Sequence, residues 1–317
     1  MDSRQLRYFA TIYQKGSLAQ AAGELNVAAS ALSHHLSNLE AELGTKLFVR
    51  QPRGLAPTAA GVRLNEHACS ILQALQAAGD DIRGATREIA GEVSVGMAHS
   101  AVKAIGLNLI KTVLEDHPKL KLSISESLSG STLLHLLTTE IGLAVVYNPP
   151  QNNALRLQPI LEERVVCIGR HELIGDTDAP ITFDELLDLP IILLRQGLST
   201  RALMNDLNLL KKLEARARLN LNSVTAIAAS LCAGLGCTVG TPLFMREHLQ
   251  TERLHARPLI EPELSRTLYM CELADRPATF AQEWVRSLIL QLTYAAIDKG
   301  TWEAVPVELP PEIRTVT

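Results

Sequence analysis

Residues 26–44 read NVAASALSHHLSNLEAELG. The placement of their serines, paired histidines and leucines decides what kind of protein this is. A serine beside a histidine suggests a nucleophile with its base, and two histidines suggest a metal site. Neither explains the leucines. On a helical wheel with Leu32 at the origin, Leu36, Leu39 and Leu43 fall within about 40° of it, forming a narrow apolar stripe. Ser33, Ser37, Ser30 and His34 fall between about 100° and 200°, on the opposite side, while His35 lands at about 300°, beside the stripe. Ser33 and His34 diverge by about 100°, which is poor geometry for proton transfer. The two histidines diverge equally and would not share one metal as an i, i+4 pair can. The stretch reads as an amphipathic helix with a polar outer face.

Upstream, RQLRYFATIYQ places Leu6, Phe9, Ile12 and Tyr13 on one face. Gly16 is positioned to end that helix. Ser17 and Gln20 have capping-box spacing at the start of LAQAAGEL, with Leu18, Ala21 and Leu25 facing inward. Asn26 and Val27 form a tight turn into the helix from Ala29. Helix, short turn and helix is a helix-turn-helix order. Downstream, KLFVR and GLAPT flank QPRG, where Pro52 and Gly54 bracket Arg53, so a basic hairpin, a wing, follows.

Thr58 caps a long helix reaching to about residue 90. Its apolar positions Leu64, Ala68, Ile71, Leu75, Ala78, Ile82, Ala85 and Ile89 are spaced 4, 3, 4, 3, 4, 3, 4. That is an unbroken heptad seam. The same stripe would serve a helix lying on its own domain, but the strict period favours pairing with a second copy. Gly79, Gly84 and Gly91 soften its end.

From residue 91 short strand patterns such as GEVSVGMA, KLKLSISESL, RVVCIG and IILLR alternate with helical ones. An α/β domain with a largely parallel sheet is expected, as one body or two small lobes. The tail TWEAVPVELPPEIRTVT, 301–317, is proline-rich and expected to be irregular.

Composition narrows the function. The net charge is −4 over 317 residues, so the chain as a whole does not advertise a polyanion partner. Residues 1–60 instead carry six Lys/Arg against four acids, which permits nucleic-acid binding at that end. The five cysteines lack a C-x-x-C pair and fit buried thiols in a reducing compartment better than a redox sensor. No signal peptide and no apolar run of membrane-spanning length is expected, which points to the cytoplasm. G-x-S-x-G, phosphate-loop and H-E-x-x-H patterns are absent, so an enzyme reading finds no support, nor is a cofactor or metal expected. A transport solute-binding protein would need an export signal and no helix-turn-helix.

The stretch SLAQAAGELNVAASALSHHLSNLEAELGTKLFVRQPRGLAPTAAG resembles the DNA-binding segment of LysR-type transcriptional regulators. The match runs through Ser17, Ala21, Ala22, Leu25, Ala31, Leu32, Ser33, Leu39, Glu40, Leu43, Gly44, Leu47, Phe48, Arg50, Thr58 and Gly61. GEVSVGMA and GLGCTVGTPLF resemble the family's regulatory domain. ESLSGS and LAVVYN resemble the branch with nitrogen-assimilation and tricarballylate-utilisation regulators.

The resemblance implies a winged helix-turn-helix over 1–58, a linker helix over 59–90, and an α/β regulatory domain over 91–300 like periplasmic binding proteins. One lobe spans about 91–161 and 268–295 and the other about 162–267. It implies that the helix from about Ala29 enters the major groove of an operator; the wheel independently offers Ser30, Ser33, His34 and Ser37 as the exposed face, and Arg50 and Arg53 of the wing suit the backbone or minor groove. It further implies dimers paired into tetramers, contact with RNA polymerase, and an effector between the lobes at Ser100, Ala101, Ser129, Ser199 and Thr200. Hydroxyls at helix N-termini with no acidic partner in view suggest a small carboxylate. Two departures stand out. Ala29 replaces the family's usual Gln, so base readout there is limited to a thymine methyl, and Gly142 replaces a common acidic residue.

Overall fold

The computed structural model describes residues 1–51, 54–84, 89–175, 179–194 and 201–307, apart from the side chains of 66, 70, 73, 76, 77, 80–84 and 201. The chain divides into two compact units, Met1–Glu88 with Asp275–Phe280, and Ile89–Ala274 with Ala281–Thr317.

The first unit opens with α1 (Ser3–Lys15), α2 (Leu18–Leu25) and α3 (Ala29–Leu43). Asp2 and Gln5 form a capping box on α1. Ser17 accepts from the Gln20 N–H on α2. Gly16 and Asn26 end these helices in the left-handed region, at φ 60° and 54°, where glycine and asparagine are tolerated best. The inward residues Leu6, Phe9, Ile12, Ala21, Ala22, Leu32 and Leu39 form one core. Of the leucine stripe on α3, Leu36 is half-buried and Leu43 is exposed.

Strands β1 (Phe48–Gln51) and β2 (Gly54–Pro57) pair antiparallel as a hairpin, with Arg50 opposite Leu55. The Leu55 N–H donates to the Gly16 carbonyl at 2.7 Å. A side chain on Gly54 would strike that same carbonyl, so the wing docks on the end of α1 only with glycine there. Thr58 caps the long helix α4 (Ala59–Gly84) by accepting from the Gly61 N–H at 3.0 Å.

The second unit runs β3 (Gly91–Met97), α5 (His99–Ala101), a π-helical stretch Val102–Gly106, α6 (Leu107–Asp116), β4 (Leu120–Glu126), α7 (Ser129–Leu137), β5 (Leu143–Tyr147) and β6 (Leu155–Gly169). It continues through α8 (His171–Ile174), β7 (Ile181–Thr182), α9 (Phe183–Leu187), β8 (Ile191–Leu194), α10 (Leu207–Arg216), β9 (Ala217–Leu221), α11 (Val224–Cys232) and β10 (Thr238–Gly240). Last come α12 (Arg246–Gln250), β11 (His255–Ile260), β12 (Leu264–Leu273), α13 (Phe280–Asp298) and β13 (Val305–Pro306).

The main sheet has the order β4-β3-β5-β12-β6-β11-β7, with β10 and β13 also on β6. It is mixed, which corrects the expectation of a largely parallel sheet: β3 is parallel to β4 and β5, whereas β12, β11, β10 and β13 all run antiparallel to β6. The long strands β6 and β12 pair from Leu155↔Leu273 to Val165↔Leu264, with a register shift between Leu268 and Tyr269. Hydrophobic residues cluster separately along these strands, with Leu161, Leu268 and Met270 in one cluster and Val165 and Leu264 in another. One cluster gathers β3, β5, α6 and α13; others gather β8, β10, α10 and α11. The unit is therefore two-lobed, with β6 and β12 running through both lobes.

The start of the tail is not irregular. Trp302 is 1% exposed, and Val305 and Pro306 pair with Glu162 and Leu161. An indole supplies enough apolar surface to order a proline-rich segment against a strand. Residues 308–317 lie outside the described residues. The cysteines are all free thiols, and Cys167, Cys237 and Cys271 are buried.

Candidate functional site

In the first unit, α3 presents the polar face that its sequence phase requires. Ala29, Ser30, His34 and Ser37 are exposed and Ser33 half-exposed, opposite the buried Leu32 and Leu39. His35 does what its neighbour does not: its ring packs edge-on against Tyr8 of α1, with centroids 5.1 Å apart. It is a packing residue between helices. The N-cap of α3 is Ala28, which makes no side-chain hydrogen bond. The first-turn N–H groups of α3 thus lack an intramolecular cap, and with the helix dipole they suit an anion. Arg50 is exposed on β1; Arg53 lies outside the described residues.

The back of α3 holds a charge that spacing alone did not single out. Glu40 is 7% exposed. Its carboxylate accepts from the Leu47 N–H at 2.9 Å and the Phe48 N–H at 3.4 Å, and pairs with Lys46 at 2.5 Å. Burial works against the charge, but Lys46 and the two N–H groups outweigh it and hold the carboxyl below the usual glutamate range. Glu40 thereby ties α3 to the root of the wing.

The heptad seam on α4 divides. Ala68 is fully buried in the core of its own unit, which corrects its assignment to a pairing face, and Leu64 is half-buried against that core. Ile71 at 40%, Leu75 at 54% and Ala78 remain exposed. The side chain of Ile82 lies outside the described residues.

In the second unit a cleft of about 750 Å³, open mouth included, lies between the lobes. Ser100, Ser127, Ser129, Tyr147, Asn148 and Arg266 contribute polar groups, and Leu128, Leu133, Leu203 and Phe244 are among its apolar walls. Of the expected effector residues, Ser100 and Ser129 are here. Ser129 Oγ accepts from the Tyr147 N–H at 3.1 Å, leaving its own proton for another acceptor. Ala101 is not part of the cleft: it is fully buried in the lobe core, and its N–H donates to the Ala98 carbonyl. One residue past Ser100, the helix has already turned its side chain inward. Ser199 and Thr200 lie outside the described residues.

Arg266 is the group that sequence reading missed. It is 7% exposed on β12 and faces Glu163 directly across the β6–β12 ladder. Its Nε donates to Glu163 at 2.9 Å, and its Nη2 donates to Ser100 Oγ at 3.1 Å and Thr241 Oγ1 at 3.0 Å. Its guanidinium lies 3.7 Å from the centre of the Tyr147 ring. Burial opposes the Arg266 charge, but Tyr147 and Glu163 outweigh it and hold its pKa above the ordinary arginine value. Burial pushes the Tyr147 phenol well up, and its Oη makes no hydrogen bond among the described residues. Ser100 follows β3 and Thr241 follows β10, so one guanidinium holds the ends of two separate strands. Beside it, Lys103 of the π-helical stretch reaches Glu247 at 2.5 Å and the Phe244 carbonyl at 3.4 Å.

Two family models match the chain: "Bacterial regulatory helix-turn-helix protein, lysR family" over residues 3–62 and "LysR substrate binding domain" over residues 86–293. The chain belongs to the LysR family of transcriptional regulators. It is 32% identical over 241 residues to the nitrogen assimilation regulatory protein nac of Klebsiella aerogenes, covering 75% of this chain and 78% of that one. It is 26% identical over 306 residues to the transcriptional regulator BbuR of Bordetella bronchiseptica, covering 96% and 94%. Among solved structures, a full-length OxyR variant from Pseudomonas aeruginosa matches with TM-score 0.77 at 20% identity, over 98% of this chain and 99% of that one. CbnR complexed with its target DNA matches with TM-score 0.59 at 20% identity, over 93% and 100%. As a LysR-type regulator the chain joins a DNA-binding unit to an effector-binding domain. No described helix is long and apolar enough to cross a membrane.

Proposed function

We propose that this regulator reads its operator through the outward face of α3, with Ser30, Ser33, His34 and Ser37 at the bases or phosphates and Arg50 on the backbone beside them. The observation that carries this reading is the uncapped, exposed start of α3 with its polar face turned away from the core. Ala29 offers only a methyl to the groove, so the operator at that step selects by apolar contact with thymine. Titration of an operator fragment tests the assignment. Arg50→Ala is expected to weaken binding to all sequences alike and reduce the salt slope by about one. An unchanged salt slope removes Arg50 from the interface.

Two copies pair through the exposed part of the seam, Ile71, Leu75 and Ala78, and so present two reading heads to two half-sites. Leu75→Glu is expected to sediment as a lighter species than the parent at micromolar concentration; an unchanged species defeats this pairing face.

The effector is a small carboxylate held in the cleft by Ser100, Ser129 and Arg266, with Leu128, Leu133, Leu203 and Phe244 around its apolar body. A buried guanidinium is the group best suited to carboxylate recognition. By touching both lobes, such a ligand biases their relative position and thereby the activity of the regulator. Calorimetry with a panel of carboxylates, compared with Arg266→Gln, tests this: heat is expected from the parent and not from the variant.

A further inference from the structure

We propose that Glu163 is the internal counter-ion of the effector site, setting how strongly Arg266 attracts an anionic group in the cleft. This rests on the carboxylate reading of the cleft. Glu163 is 1% exposed and stands on the far side of Arg266 from the cleft. It borders a separate cavity with Thr241, Arg246, Thr301 and Glu303, whereas Arg266 borders the cleft itself. A ligand carboxylate and the Glu163 carboxylate therefore address one guanidinium from two sides. The Arg266 bonds to Glu163, Ser100 and Thr241 engage Nε and Nη2 and leave the hydrogens of Nη1 unused by those partners.

Glu163 is itself fixed from behind. Trp302 Nε1 donates to its other carboxylate oxygen. The Trp302 segment is anchored in turn: its N–H donates to the Ala296 carbonyl at 3.1 Å, and Val307 N–H donates to the Ile160 carbonyl at 2.9 Å. The C-terminal segment thus reaches the effector cleft through two side chains. A neutral Arg–Glu pair draws an anion less than a bare guanidinium, because the two fields partly cancel at the distance of a bound ligand. Glu163 keeps a buried cation paired when no effector is bound and, by the same charge, weakens the hold on an effector when one arrives. It acts through Arg266 and is a positioning residue.

The test is calorimetry on the full-length protein with benzoate, hexanoate and succinate, each against its amide. Glu163→Gln keeps the shape and one hydrogen-bonding oxygen but removes the charge. It is expected to raise affinity for at least one carboxylate roughly tenfold, with amide binding unchanged. Trp302→Phe removes a donor from Glu163 and concentrates its charge on Arg266, so carboxylate affinity is expected to fall severalfold against the amide. A general loss of structure would lower both ligands together and leave their ratio alone. A carboxylate-to-amide ratio in Glu163→Gln no higher than in the parent overturns the proposal, and with carboxylates still binding the parent, the carboxylate reading stands. Binding to Glu163→Gln alone supports the counter-ion and defeats the carboxylate reading of the parent. Binding to neither sinks both. Should Glu163→Gln not fold, an unchanged ratio in Trp302→Phe overturns the proposal.

Discussion

The outward face of α3 and the cleft around Arg266 place their polar groups in opposite ways. On α3 the residues proposed to meet DNA lie within eight positions of one another and are wholly or partly exposed, while the buried charge of that helix, Glu40, sits on the back and serves the fold. In the cleft the polar groups come from Ser100, Ser129, Tyr147 and Arg266, far apart in the chain, and the central one is nearly inaccessible. A surface that meets a large polyanion can be added to a finished core. A site that must grip a small molecule and move two lobes has to be built into the core, where every polar group needs a partner. The two regions should therefore respond differently to substitution: the cleft through stability and function together, the helix face through function alone.

The largest expected effect is at Arg266. Arg266→Met leaves the Glu163 carboxylate buried without its cation, and is expected to destabilise the protein by about 3–5 kcal/mol in urea unfolding. The double variant Arg266→Met, Glu163→Met removes both charges and should recover most of that loss. A single variant as stable as the parent would mean that the pair is not what holds the lobes.

The difference between the regions also explains what the sequence disclosed. The winged helix-turn-helix follows from periods of 3.6 and from local stop signals at Gly16, Asn26 and Thr58, and the structure has each of them in place. Even the divergence of His34 from His35 is a consequence of helical phase. The cleft depends on contacts between residues more than a hundred positions apart, such as Arg266 with Glu163 and Ser100. No local pattern encodes their pairing. Half of the signal was nonetheless present. In LSRTLYMCEL, strand alternation puts Arg266 on the face of Leu264 and Leu268, and in LEERVV it puts Glu163 between Leu161 and Val165. A charge at an inward strand position needs an opposite charge nearby, and two such strands with opposite charges are candidates to be neighbours. The tail failed for a related reason: proline content suggested irregularity, but one buried tryptophan outweighed it.

A second comparison sets Glu40, a buried charge serving the fold of the DNA-binding unit, against Arg266. Glu40→Gln loses the ion pair with Lys46 and weakens the acceptor for the Leu47 and Phe48 N–H groups. About 2 kcal/mol of stability is expected to go with it at neutral pH. The Glu40 carboxyl titrates below the usual glutamate range in the folded chain. Its contribution is therefore complete above the unfolded value and is lost as the pH falls through the lowered folded value. Thermal melts of parent and variant should differ most at neutral pH and converge in acid. A gap that stays constant down to acid pH would mean the charge of Glu40 contributes nothing and only its shape matters.

The smallest expected effect belongs to the exposed face, and it separates the regions most sharply. His34→Ala removes one ring from a solvent-facing position on α3, where nothing in the core depends on it. Stability should change by less than about 0.5 kcal/mol, as for ordinary surface substitutions. Operator affinity should fall by about 1 kcal/mol, near fivefold, if the imidazole meets a base edge or phosphate. The same substitution at His35 should behave in the reverse sense, because its ring packs on Tyr8 with centroids 5.1 Å apart: the melt moves first, and DNA binding suffers only as α3 loosens. If His34→Ala lowers stability as much as His35→Ala does, the phase assigned to α3 is wrong. If both leave the operator bound as tightly as the parent, the reading face lies elsewhere on the winged unit, and Arg50 on the wing becomes its best remaining anchor.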